Sequence, residues 1–162
     1  MSLVPAEAGD TPGAAARKAV EQAAVRAVME IEQSLGFEPR DVCADKCGYD
    51  VESSMPAARR EACGACLRFI EVKGRAKGAD TVTVTKNEIL TTPNKPEDFF
   101  LALVEVDGDK THTVYLKRPF REQPDFAARG VIYSLAELKS CAETVLEHQH
   151  NHTLLDIRNF KK

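Results

Sequence analysis

Between Leu67 and Gly74 the chain reads Leu-Arg-Phe-Ile-Glu-Val-Lys-Gly, an apolar segment that carries a carboxylate and an ammonium at alternate positions. Residues two apart on a strand share a face. Glu71 and Lys73 therefore point the same way, while Ile70 and Val72 point into a core. An earlier strand-like run, Tyr49-Asp50-Val51-Glu52, is joined to it by a long hairpin-like connection that favours antiparallel pairing. Such a neighbour brings Asp50 beside Glu71. Two carboxylates and a lysine around one point can hold a divalent cation, Mg2+ or Mn2+, and a scissile phosphate. In that reading Asp50 and Glu71 are the metal ligands, and Lys73 orients the water or offsets charge developing in the transition state. The competing reading is an exposed Glu71–Lys73 pair on an edge strand, which is worth little.

Around this segment the chain alternates helical and extended patterns. Met1 to Ala16 is rich in Ala, Gly and Pro and lacks apolar periodicity, which predicts a flexible lead-in over 1–16. From Arg17 to Leu35, the positions Val20, Ala24, Ala27, Val28, Ile31 and Leu35 recur at helical spacing, with Gly36 as the stop. Glu21 and Glu32 ride on this helix, and either can lean toward a site. Phe37 to Val42 reads as an extended link, and Thr81 to Thr85 alternates as a half-buried strand does. Thr85-Lys86-Asn87-Glu88 is a capping box, so a helix should start there and end before Pro93. Phe99 to Val106 and Thr113 to Leu116 flank the Asp107-Gly108-Asp109 turn as a hairpin. A second capping box, Ser134 to Glu137, opens a stripe of Leu135, Leu138, Cys141, Ala142, Val145 and Leu146 that predicts a longer helix. After His148 the pattern is lost, predicting a loose tail over 149–162. This order describes one α/β (α+β) domain over 17–148, with a mixed central sheet flanked by helices.

A chain of 162 residues, 43% hydrophobic and 29% charged, has the composition of an ordinary globular domain. No apolar run approaches the roughly 20 residues that span a bilayer, so no membrane partner is expected. No basic-then-apolar leader is visible, and a cytoplasmic protein is the expectation. The net charge of −3 does not announce nucleic acid. Locally, however, Arg59 to Lys86 carries seven basic residues against three acidic ones, as a phosphate-binding rim or a solvated loop would. Arg75, Lys77, Lys86 and Asn87 are its candidate nucleic-acid contacts.

Five cysteines argue against a disulfide framework. Cys43 and Cys47, then Cys63 and Cys66 about 16 residues on, have spacings that can build a zinc site. Free thiols are the better reading, because the first pair equally suits a turn before a strand. The histidines at 148, 150 and 152 resemble a metal-binding tract by composition, and an incidental role is favoured for them.

Three runs carry a family resemblance: Gly48-Tyr49-Asp50-Val51-Glu52-Ser53, Arg68 to Arg75, and Thr83 to Ile89. They are similar to the signature of the domain found at the C-terminus of the plant protein NO VEIN. In bacteria and archaea that domain resembles the C-terminal module of Swi/Snf-type and other superfamily-two helicases, and it is grouped with the PD-(D/E)xK, restriction-endonuclease-like nucleases. The resemblance covers roughly Val20 to Leu146. It implies a restriction-endonuclease-like sheet, with Asp50 as the motif aspartate, Glu71 as the second acid and Lys73 as the lysine. Glu32 resembles the first-helix glutamate that completes the metal site. Lys86, Asn87 and Glu88 resemble the motif that opens the following helix near the same pocket.

Two departures stand out: Tyr49 occupies the place of a proline, and the Pro56 to Cys66 loop is longer than the family's connection. The activity implied is a Mg-dependent endonuclease or phosphodiesterase acting on DNA, in a protein that also holds a helicase or ATPase module. This chain has no Gly-rich phosphate loop ending in Lys-Ser/Thr, so that ATPase is expected upstream. A homodimer is compatible with the reading. Two alternatives remain: a non-catalytic module that binds nucleic acid or protein with the same fold, and a zinc-stapled interaction domain.

Overall fold

The computed structural model describes residues 12–62, 67–94 and 96–151. Helix α1 (Pro12–Ser34) begins earlier than the apolar stripe predicts, with Pro12 at its first position, where a missing N–H costs nothing. It closes as a Schellman turn: Phe37 N–H donates to the Glu32 carbonyl and Gly36 N–H to that of Gln33, with Gly36 at φ 87°. After α1 come β1 (Glu38–Asp41), β2 (Val51–Ser54), β3 (Leu67–Ala76), β4 (Thr81–Thr85) and α2 (Lys86–Thr91). The hairpin β5 (Phe99–Asp107) and β6 (Lys110–Lys117) follows, then β7 (Gly130–Ser134), α3 (Leu135–Cys141) and β8 (Glu143–Asn151).

The mixed sheet runs in the order β1-β2-β3-β5-β6-β8. Only β3 and β5 are parallel within it, and a parallel pair requires a crossover. That crossover is β4 and α2, which lie on one face of the sheet. Val82, Val84 and Ile89 from the crossover pack on Leu101, Leu103, Val114 and Leu116. On the other face α1 lays Ala24, Ala27, Val28 and Ile31 over Ile70, Val72, Ala102, Val104 and Tyr115. An α/β domain with a mixed central sheet flanked by helices is therefore what forms. None of its described helices is long and apolar enough to cross a membrane.

Three elements differ from the sequence expectation. The Phe37–Val42 link is a strand, because Glu38 to Asp41 pair with Val51 to Ser54. Gly130–Ser134, for which the sequence pattern predicts no strand, forms β7 and pairs with β4 as a separate ribbon. The expected long C-terminal helix stops at Cys141. Val145 and Leu146, read as its last turn, lie in β8, which covers β6 and continues to Asn151. His148 and His150 are thus half-buried strand residues opposite Thr113 and Thr111, while His152 lies outside the described residues.

Gly74 sets how closely α1 approaches β3. A Cβ there would stand 2.7 Å from the Ala24 Cβ and 3.0 Å from the Val20 carbonyl oxygen. Gly74→Ala should therefore cost about 1–3 kcal/mol, as overpacking does, read as a lower urea midpoint with an unchanged m-value.

Candidate functional site

Pairing between β2 and β3 ends at Val51 and Ile70. Beyond that point β3 runs on to Ala76, paired on its other side with β5. Among the described residues no strand covers Glu71 to Ala76 on the β2 side. The opening is a cleft of about 1050 Å³ walled by α1 from Arg17 to Met29, the open edge of β3, and β4 with α2.

Asp50 stands where the two strands part. Its N–H donates to the Ile70 carbonyl at 2.9 Å, and its own carbonyl accepts from Val42 N–H at 2.8 Å. Its Oδ2 accepts the first N–H that β2 no longer reaches, that of Val72, at 2.9 Å. The loop leading in is seated by Gly48 (φ 92°), where a Cβ would collide with the Thr91 hydroxyl at the end of α2. Asp50 is thus fixed by backbone on three sides. Burial raises its pKa, opposed by the Val72 N–H.

Glu71 and Lys73 share the β3 face turned toward α2, as their alternate spacing predicts. The Lys73 Nζ lies 3.0 Å from Glu71 Oε1 and 2.8 Å from Glu88 Oε2. That Glu88 oxygen also accepts the Thr85 N–H at 2.8 Å, completing the expected capping box with the Thr85 hydroxyl. The start of α2 and the ammonium of β3 are therefore tied through one carboxylate. Glu88 is legible as a helix cap from its local sequence, and only the family resemblance implies its place near the pocket, which it does line.

Charge in this corner is unbalanced, with three carboxylates (Asp50, Glu71, Glu88) around one ammonium. Burial acts on all of them but resolves differently for each. Glu71 is 3% exposed, and burial, with Asp50 and Glu88 nearby, pushes its pKa up to about 9 despite Lys73. For Glu88 the bonds from Lys73 and the Thr85 N–H outweigh burial and hold it below the ordinary range. For Lys73 the two glutamates outweigh burial and raise it. At neutral pH Glu88 is ionised, Lys73 is charged, and Glu71 keeps its proton within hydrogen-bonding reach of Glu88.

Glu32, the expected third acid, is placed elsewhere. It is 0% exposed beneath α1, 3.6 Å from Arg68 Nε and in contact with Tyr115, whose hydroxyl pKa is raised by burial and then by Glu32. The Arg68 guanidinium stacks over Phe37, Phe100 and Tyr115. This buried pair belongs to the core on the α1 face. The α1 glutamate that does line the cleft is Glu21, beside Arg17, Lys18 and Arg26. Those cations carry no signal in the sequence, because they lie on the polar side of a helix whose apolar stripe alone is informative.

The expected nucleic-acid contacts separate as well. Arg75 lines the cleft, and its Nε is buried with no hydrogen-bond partner among the described residues. Lys77 instead pairs with Asp107 at 2.8 Å, Lys86 donates to the Phe126 carbonyl at 2.7 Å, and Asn87 is exposed. Of the four cysteines considered for zinc, Cys63 and Cys66 lie outside the described residues. The Cys43 and Cys47 thiols donate to the carbonyls of Asp50 (3.8 Å) and Tyr49 (3.5 Å), and burial pushes the Cys43 thiol up. Among the described residues no cluster of three or more His, Cys, Asp or Glu is arranged to hold a metal.

Two outcomes follow from these placements. A carboxyl whose folded pKa exceeds its unfolded value keeps its full stabilising effect below the unfolded pKa and loses it as pH climbs toward the folded one. With Glu71 the loss runs from about pH 5 to about pH 9. In chelator, Glu71→Gln should gain on wild type steadily across that window, as read by urea unfolding at several pH values. Glu32→Ala strands Arg68 in the core and should cost about 3–5 kcal/mol. Calorimetric titration of Mn2+ into any Glu32→Ala that folds should give wild-type affinity, whereas a Glu32 that completed a metal site would show weakened binding.

No curated protein and no solved structure matches the chain. A family model described as Protein NO VEIN, C-terminal, matches residues 20–116, which takes in α1 from Val20 onward, Asp50, all of β3, the α2 cap and the β5–β6 hairpin up to Leu116, and stops short of β7, α3 and β8. The match covers more than half of the chain and includes Asp50, Glu71, Lys73 and Glu88. The chain belongs to the family of the Protein NO VEIN C-terminal domain.

Proposed function

We propose that this is a metal-dependent nuclease-fold domain of PD-(D/E)xK type that acts on DNA in the cytoplasm, as a module of a helicase-like protein. One observation carries the reading: Asp50, Glu71 and Lys73 line a single cleft at the open edge of β3. The donor set suits Mg2+ or Mn2+, which take carboxylate oxygens. Asp50 and Glu71 would hold the ion, Glu71 releasing its proton as the ion binds, and the ion when bound polarises a phosphoryl oxygen and lowers the pKa of water. Backbone contacts already fix Asp50, so little ordering is left to be done. Lys73, steered by Glu88, presents its ammonium beside the same two acids and offsets charge that develops on the attacked phosphate. Arg75, with its unpartnered Nε, and the α1 cations Arg17, Lys18 and Arg26 form the rim along which a phosphate backbone is drawn. The helicase connection rests on the sequence resemblance.

A second reading, a binding module without catalysis, is favoured by one specific feature. Lys73 is bracketed by two carboxylates, which is also how a purely structural lysine is held.

Cleavage assays with single-stranded, duplex and forked DNA in Mg2+ or Mn2+ separate the two. If the domain is catalytic, Lys73→Ala should lower cleavage by about 10²-fold or more while metal affinity holds, and Asp50→Asn should lower both. A wild-type protein that binds these DNAs equally well in EDTA and cuts none of them would leave the binding module as the answer.

A further inference from the structure

The turn after β6 holds an aromatic ring in the open. Phe126 is 98% exposed, yet its position is fixed. The turn is closed by Ala128 N–H donating to the Asp125 carbonyl at 3.0 Å, and its far end is pinned where Lys86 N–H donates to the Arg129 carbonyl at 2.9 Å. Lys86 binds the tip as well: its Nζ donates to the Phe126 carbonyl at 2.7 Å and lies 5.0 Å from the ring centroid. The ring is thus backed by a cation and held away from any core. Lys86 opens α2, and Glu88, two residues on, lines the cleft. Thr83, another lining residue, pairs with Ile132 of β7, the strand that follows the turn. Phe126 and β7 lie beyond residues 20–116, the stretch that the family model matches.

We infer that Phe126 is a stacking platform for one unpaired nucleobase of a strand whose phosphates enter the neighbouring cleft. The inference rests on the nucleic-acid reading above and adds a preference for single-stranded or frayed substrate. A lone aromatic ring offers a π-face to any base, and such stacking is tolerant of sequence. A cation on the opposite face enriches the site in positive charge close to where a phosphate must pass. Exposed residues nearby in sequence and pairing include Glu122, Asp125, Ala127, Arg129, Thr83 and Thr85, with Ile132 (72% exposed) the main large apolar one. A protein partner would favour a broader apolar patch than that.

The test uses the whole chain, with Ca2+ in place of Mg2+ to hold back cleavage, and fluorescence polarisation of labelled oligothymidylate and of a blunt duplex. Phe126→Ala should weaken single-strand binding about tenfold and change duplex binding by less than about twofold. Because the chain contains no tryptophan, Phe126→Trp supplies a single reporter. Its affinity should match wild type, and its emission should be quenched by oligothymidylate but not by an abasic strand of equal length. Equal losses on single strand and duplex, or no quenching, overturn the platform while wild-type binding keeps the nucleic-acid reading alive. A wild type that binds neither ligand overturns both. If Phe126→Ala instead turns a dimer into a monomer on size exclusion, the ring serves self-association and the platform is wrong.

Discussion

The hydrogen bond from Val72 N–H to the Asp50 carboxylate is the contact on which the rest of the site depends. A strand that outruns its neighbour leaves unpaired backbone donors, and a buried one must find a partner. Here β2 stops while β3 continues, and the acid at the start of β2 supplies the missing acceptor. One interaction therefore satisfies the backbone, aims a carboxylate and leaves an opening beside it. Longer pairing would have filled the cleft with a strand.

The second half of the site is fixed by a helix terminus. Glu88 would cap α2 in any protein with this local sequence, because the Thr85 N–H needs an acceptor. In this fold the crossover lays that cap against β3, and the same oxygen reaches Lys73. Local helix energetics and site electrostatics are thereby coupled. Anything that loosens the first turn of α2 also releases the ammonium from one of its two anchors, leaving Glu71 as the other.

The central trio was legible because a strand's period of two is rigid: Glu71 and Lys73 share a face in any strand, and an antiparallel neighbour places Asp50 beside them. The capping boxes were equally local, and both helix starts follow them. Glu32 was harder. Its place on α1 was clear, but which part of a 23-residue helix overhangs the β3 edge depends on tertiary packing, and that part is Arg17 to Met29. At the C-terminal end tertiary pairing overrode the pattern. Leu138 and Cys141 continue a helical stripe into Val145 and Leu146, but β6 would otherwise have an open edge, and Thr144 and Val145 are β-branched residues that suit a strand. The cleft cations on α1 carried no periodic signature at all.

The two outer strands of the six-stranded sheet bear on how copies of the protein meet. One border is β1, only four residues long, with Pro39 lacking a donor and Glu38, Arg40 and Asp41 carrying charge. Such a border resists the addition of a foreign strand. The other is β8, where Glu143, Thr144, Val145, Glu147 and Gln149 are exposed and two of the five are acidic. Continuous cross-molecule sheets are discouraged at both of these borders, which turns self-association there toward side-chain surfaces.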